Sequence, residues 1–189
     1  MIKITFPDNS VKEFESGITP LQIAESISPR LAQEVLAATV DGQEWDLSRS
    51  INADAAIKLF KWDDPEGKHA FWHSSAHLLA EALQELYPGI KFGIGPAIEN
   101  GFYYDLDRET PFVAEDLEKI EKEMKKIVKE DLEITRFTKP RDEAIAYFKE
   151  KDEPYKVELI EDLPEDAQIS FYQQGEFVDL CAGPHLKST

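Results

Sequence analysis

The stretch DDPEG, residues 63–67, constrains the fold more than any other feature, because the hydrophobic pattern changes character across it. Upstream, IKITF and VKEF alternate apolar and polar residues as half-buried strands do, and the turn residues PDNS between them predict a hairpin. Thr19 then sits as N-cap before Pro20 at the first helical position, with Leu21, Ile23, Ala24 and Ile27 on one helical face. LAATV and QEWDL follow as two strands joined at Asp41-Gly42, and AIKLFKW is a last strand. The order strand, strand, helix, strand, strand, strand suits a β-grasp sheet with a helix across one face. Residues 1–62 are therefore expected to form one domain and residues 63–189 a second.

Downstream of the boundary, Asp64 is expected to cap a helix that begins at Pro65, runs to about Leu86 and stops before Tyr87-Pro88-Gly89. Its core stripe is Leu79, Ala82, Leu83 and Leu86. KFGIGPAIENGFYYDLD reads as two strands around Asn100-Gly101. Helices are predicted at about 114–131, with Leu117, Ile120, Met124, Ile127 and Val128 in register, and at 141–150. ITRFT, YKVELI, ISFYQ and EFVDLC are read as strands, the last pair joined at Gln174-Gly175. The overall fold class is α+β, the second half carrying a largely antiparallel sheet.

Charge narrows the partners. The net charge is −17, of which residues 1–62 supply −3 and the remainder −14. Such a chain is unsuited to nonspecific nucleic-acid binding, which draws on clustered Lys and Arg, so any RNA contact must be local. In EDLEKIEKEMKKIVKEDLE, Lys and Glu alternate on what should be a solvated face. No apolar run approaches the roughly 20 residues of a membrane span, and MIKITFPDNS lacks the continuous apolar core of a signal peptide. A cytoplasmic address is expected, and the single cysteine excludes an internal disulfide.

That cysteine belongs to the chemically richest pattern. HSSAHLLAEAL places His73 and His77 four apart on a helix, about 40° from each other around the axis. CAGPH places Cys181 and His185 at the same spacing, with Gly183-Pro184 bending the chain between them. Imidazole and thiolate are the preferred ligands of tetrahedral zinc. Singly, a helical histidine is more often a core or surface residue and a lone cysteine is usually buried filler; two matched pairs argue otherwise. Asp179 should share a strand face with Cys181. Lys156 is a cation in an otherwise apolar run, and Tyr103 and Tyr104 follow the Asn-Gly turn. Gly93, Gly95 and Pro96 have the wrong spacing for a dinucleotide loop.

HSSAHLLAEAL, GIGPAIENGFYYD, YKVELI and VDLCAGPH together resemble the second N-terminal domain of the bacterial threonyl-tRNA synthetase family, and residues 1–62 resemble the TGS domain that precedes it. The resemblance covers essentially the whole chain. It implies an N-terminal fragment whose second domain, 63–189, hydrolyses serine wrongly attached to threonine tRNA. The editing residues it implies are His73, His77, Lys156, Asp179, Cys181 and His185, with Tyr103, Tyr104, Gly95 and Pro96 toward the substrate. It further implies tRNA carrying serine at its 3′ end as partner, neither membrane nor DNA, and a monomeric fragment. The full-length family enzyme would be a homodimer that ligates threonine to tRNA with ATP, magnesium and a zinc in a core beyond residue 189. The threonyl branch is expected to edit without metal. The related alanyl-tRNA editing proteins use the same spacing to hold zinc, which here would fall on His73, His77, Cys181 and His185. A zinc-dependent deacylase and a noncatalytic TGS-type RNA-binding or regulatory module are the alternatives.

Overall fold

The structure is a computed structural model and describes residues 1–189. It has two compact units, residues 1–72 with 183–187 and residues 73–182 with 188–189. In the first, β1 (Ile2–Thr5), β2 (Val11–Phe14), β3 (Ala37–Val40), β4 (Gln43–Trp45) and β5 (Ala55–Phe60) form a sheet of order β2-β1-β5-β3-β4. The central β1–β5 pair is parallel and the other pairs are antiparallel. The β3–β4 turn is Asp41-Gly42, both at positive φ (50° and 77°), which is the two-residue hairpin geometry whose twist matches that of the strands.

Helix α1 (Pro20–Ile27) starts as expected, with a complete capping box between Thr19 and Gln22. Ile23 and Ala24 are buried on it, whereas Ile27 is exposed at the helix end. A short helix the sequence reading did not contain, α2 (Pro29–Glu34), is capped by the Ser28 side chain on the Leu31 N–H. Ile2, Ile4, Ile23, Val40, Ile51 and Ile57 form the main core beneath the sheet. This is the β-grasp arrangement.

Helix α3 spans Pro65–Leu86. The Asp64 carbonyl accepts the Lys68 N–H, but the Asp64 carboxylate turns back to the Lys61 N–H at 2.8 Å rather than capping the first turn.

In the second unit, β10 (Thr135–Lys139), β11 (Ile169–Gln174) and β12 (Phe177–Leu180) form an antiparallel sheet. Short antiparallel ladders pair β6 (Lys91–Phe92) with β9 (Leu106–Asp107), and β7 (Ala97–Ile98) with β8 (Gly101–Phe102). Helices α4 (Ala114–Glu130), α5 (Arg141–Glu150) and α6 (Pro154–Asp162) complete it. One face of the sheet packs on α5 and α6 through Phe171, which stacks on Phe137 at 5.1 Å and on Phe148 at 5.4 Å. Phe177 points into a different cluster with Ala80, Leu83, Phe92 and Ile120.

Further expectations are corrected. YKVELI is helix α6, not strand: Pro154 opens the helix, and Val157 and Ile160 lie three apart on its buried side. The hairpin turns are Glu99-Asn100 and Gly175-Glu176, one residue off the Asn100-Gly101 and Gln174-Gly175 expected, as the pairs Ile98↔Gly101 and Gln174↔Phe177 show. On α4, Ile120 and Ile127 are buried, but Leu117 and Val128 are exposed. They flank an apolar face narrower than the stripe drawn from spacing alone.

Candidate active site

Helix α3 and strand β12 supply most of the site, and α6 and the segment before β9 supply the rest. His77 and His73 lie one turn apart on α3, their ring centroids 5.4 Å from each other. His73 Nε2 lies 3.3 Å from Cys181 Sγ. Cys181 is fixed just past β12, where its N–H bonds the Ser170 carbonyl at 3.1 Å and its own carbonyl accepts the Ser170 hydroxyl at 2.5 Å. Two residues back along the chain, Asp179 turns toward α3 and α6.

Asp179 is the centre of a buried polar network. Its Oδ1 accepts from Lys156 Nζ at 2.7 Å, with only 4 % of the lysine and 3 % of the aspartate exposed. Its Oδ2 accepts the Tyr104 hydroxyl at 2.5 Å and lies 3.6 Å from His77 Nε2. Lys156 Nζ also donates to the Tyr104 hydroxyl oxygen at 3.3 Å. Lys156 reaches this place because α6, rather than a strand, presents it beside Val157 and Ile160.

Burial and neighbours set the charge states. Burial pushes His77 down to about 3, the nearby His73 and Lys156 push the same way, and Asp179 pulls against them. The imidazole is therefore neutral near neutral pH, and its 3.6 Å approach to Asp179 is not an ion pair. Burial would raise Asp179, but Lys156, His77 and the hydrogen bonds from Lys156 and Tyr104 outweigh it and hold the carboxyl below its ordinary range. Tyr104 is raised well above the usual phenol range by burial and by the Asp179 charge. At neutral pH the network thus offers a carboxylate, a phenol donor and a neutral imidazole.

The other sequence candidates separate. Of the two tyrosines, Tyr104 enters the network and Tyr103 is exposed, tied by its N–H to the Pro96 carbonyl at 3.4 Å. Gly95 packs under Tyr104: a Cβ there would stand 2.3 Å from the ring. His185 falls in the first unit, buried, its N–H donating to Asp46 Oδ1 at 3.0 Å and preceded by a cis Gly183-Pro184 bond. The ligand atoms of His73, His77 and Cys181 lie within 4.8 Å of one another, a spacing compatible with a shared ion.

The sequence reading missed Glu81, one further turn along α3 from His77. It is buried and accepts from Gln174 Nε2 at 2.7 Å, while Gln174 Oε1 is buried without a partner. Burial pushes Glu81 up to about 7, against the Gln174 hydrogen bond. The i,i+4 spacing 73, 77, 81 was the available signal.

Comparison with known families reads the β-grasp unit and the α+β unit with its acid, phenol and imidazole network as one class, a TGS domain joined to a synthetase-type accessory domain. The TGS domain family model matches residues 2–61, and the model described as "Threonyl and Alanyl tRNA synthetase second additional domain" matches residues 169–189. Over its whole length the chain corresponds to the N-terminal region of threonyl-tRNA synthetases. It is 63 % identical over 190 residues to a threonine–tRNA ligase of Parabacteroides distasonis, covering 100 % of this chain and 29 % of the relative. Threonine–tRNA ligases of Acetivibrio thermocellus and Carboxydothermus hydrogenoformans match at 58 % and 57 %, again over 100 % of this chain and 30 % of theirs. The chain thus spans about 30 % of the length of these relatives. No helix is long and apolar enough to cross a membrane.

Proposed function

We propose that the second domain hydrolyses the ester of serine on threonine tRNA, in the cytoplasm, as the editing part (63–189) behind a TGS domain (1–62). The whole enzyme of which it is the N-terminal region would ligate threonine to tRNA with ATP. The observation that carries this reading is the buried Lys156–Asp179–Tyr104 network beside His73 and His77. The need is physical: a synthetic site that hydrogen-bonds the threonine hydroxyl loses only a methyl contact with serine, worth about 1–3 kcal/mol. A second site that admits serine and excludes the extra methyl corrects the error.

Hydrolysis adds water oxygen to the acyl carbon, breaks the acyl–ribose bond, and returns one water proton to the ribose oxygen. His73 and Lys156 orient the water and the substrate hydroxyl. Asp179, ionised throughout the physiological range, holds the seryl ammonium. Tyr104 fixes Asp179, and His77 and Cys181 complete the pocket. Release of serine from serine-charged threonine tRNA by the purified chain tests this, and unchanged release by His73→Ala would sink the role given to that residue.

A second reading, a zinc-dependent deacylase, is favoured by the proximity of the His73, His77 and Cys181 ligand atoms. An ion held there would act as a Lewis acid on the ester carbonyl or its attacking water. Lys156 close to this cluster, repelling His77 protonation, disfavours a dication in the same way. A noncatalytic RNA-binding module would show retained tRNA binding and no hydrolysis.

A further inference from the structure

The hydrolytic reading leaves one problem, on which this inference rests. Ester hydrolysis at neutral pH yields a carboxylate, an alcohol and one proton, and that proton must leave a network whose Lys156 and Asp179 are almost wholly buried. A cavity of about 200 Å3 lies against both residues within the second unit, and Glu153, Lys91, Val178 and Glu176 also line it. At ~30 Å3 per water in the liquid, it has room for several. Its walls carry charges of both signs from α6, β6 and β12, which is unlike the dry apolar voids of protein interiors.

Glu153 stands where a relay would be needed. It precedes Pro154 at the start of α6, three residues before Lys156, and its Oε2 accepts the Phe92 N–H at 3.3 Å. Lys91, on β6, is tied outward to Asp152 at 2.6 Å. The charged groups around Glu153 are Lys91 and Lys156, which favour its ionised form, and Asp179, which opposes it. The cavity rim adds Lys151 and Glu176, both exposed. Burial prevails and raises Glu153 from its ordinary carboxyl value, so its carboxylate is the more ready to take up a proton.

We propose that this cavity is the water inlet and proton outlet of the site, with Glu153 as the carboxylate that passes the proton from the Lys156–Asp179 side to solvent. The proton released on ionisation of the new carboxylic acid moves through cavity water to Glu153 and from it to bulk buffer, leaving Glu153 as it began.

The test is serine release under single turnover by the full chain, comparing wild type with Glu153→Gln in dilute and in concentrated imidazole buffer. Gln keeps the volume and an acceptor for the Phe92 N–H but cannot relay a proton. The expected result is a rate about tenfold lower in dilute buffer, restored by imidazole, with an unchanged melting temperature. Val178→Phe, which fills the cavity, should slow release without buffer rescue. A Glu153→Gln rate equal to wild type, or a loss that imidazole does not restore, overturns the relay. A wild-type chain that releases no serine overturns the hydrolytic reading itself, and the relay with it.

Discussion

At the residue scale, the two proposed water-orienting groups should respond differently to deletion. His73 is half-buried on α3 against Cys181, while Ala80 and Leu83 carry the packing. His73→Ala should therefore reduce serine release by about 10² to 10⁴ and shift stability by less than ~1 kcal/mol. Lys156→Ala should reduce release similarly but also destabilise by about 3–5 kcal/mol, because it strands the buried Asp179 carboxylate. Parallel urea titrations and rate measurements check this; equal stabilities for the two variants would contradict it. Glu81 and His77 make opposing pH demands. The folded Glu81 keeps its proton up to about 7, whereas the unfolded one loses it near the ordinary 4.5, so its contribution is complete below 4.5 and fades as pH rises through 7. His77, pushed down to about 3, contributes stability above 6.5 that is lost as pH falls toward 3. Glu81→Gln removes the first demand alone. Its stability relative to wild type should climb with pH between 4.5 and 7, by at most about 1.4 kcal/mol per unit; a pH-independent difference in urea midpoints would contradict the assignment.

At the scale of elements, Gly95 and the segment before β9 hold Tyr104 in place. Gly95→Ala would set a methyl 2.3 Å from the Tyr104 ring and force the hydroxyl away from Asp179. Serine release should fall at least about tenfold while far-ultraviolet circular dichroism stays native; wild-type rates would show that Tyr104 does not position Asp179. The same elements show what the sequence made legible. The span of α3, the Asp41-Gly42 turn and the His73/His77 pairing follow from local rules: Pro at the first turn, positive φ at a two-residue hairpin, and i,i+4 geometry. YKVELI failed because six residues of mixed polarity fit both periods, and only the tertiary contacts of Val157 and Ile160 decide between them. Lys156 stands out in the sequence as a cation among apolar neighbours, but its helical setting, its partner Asp179 and the link through Tyr104 are long-range facts no local pattern encodes. The one-residue shifts of the two hairpin turns have the same origin: cross-strand register, not the turn dipeptide, sets them.

At the scale of the whole molecule, the proposed tRNA partner should be met by this strongly acidic chain through local contacts rather than a broad basic face. Metal content separates the two hydrolytic readings. Protein purified without added zinc should hold well under one equivalent by elemental analysis and keep its activity in chelator; one tightly held zinc, lost together with activity, would favour the zinc deacylase. The central claim is selective removal of serine, and the most direct measurement compares single-turnover hydrolysis of seryl- and threonyl-esters on the same threonine tRNA. The account predicts rapid loss of serine, a threonyl ester that largely survives, and collapse of the difference in His73→Ala. Equal hydrolysis of the two esters, or no hydrolysis of either by the folded chain, would contradict it.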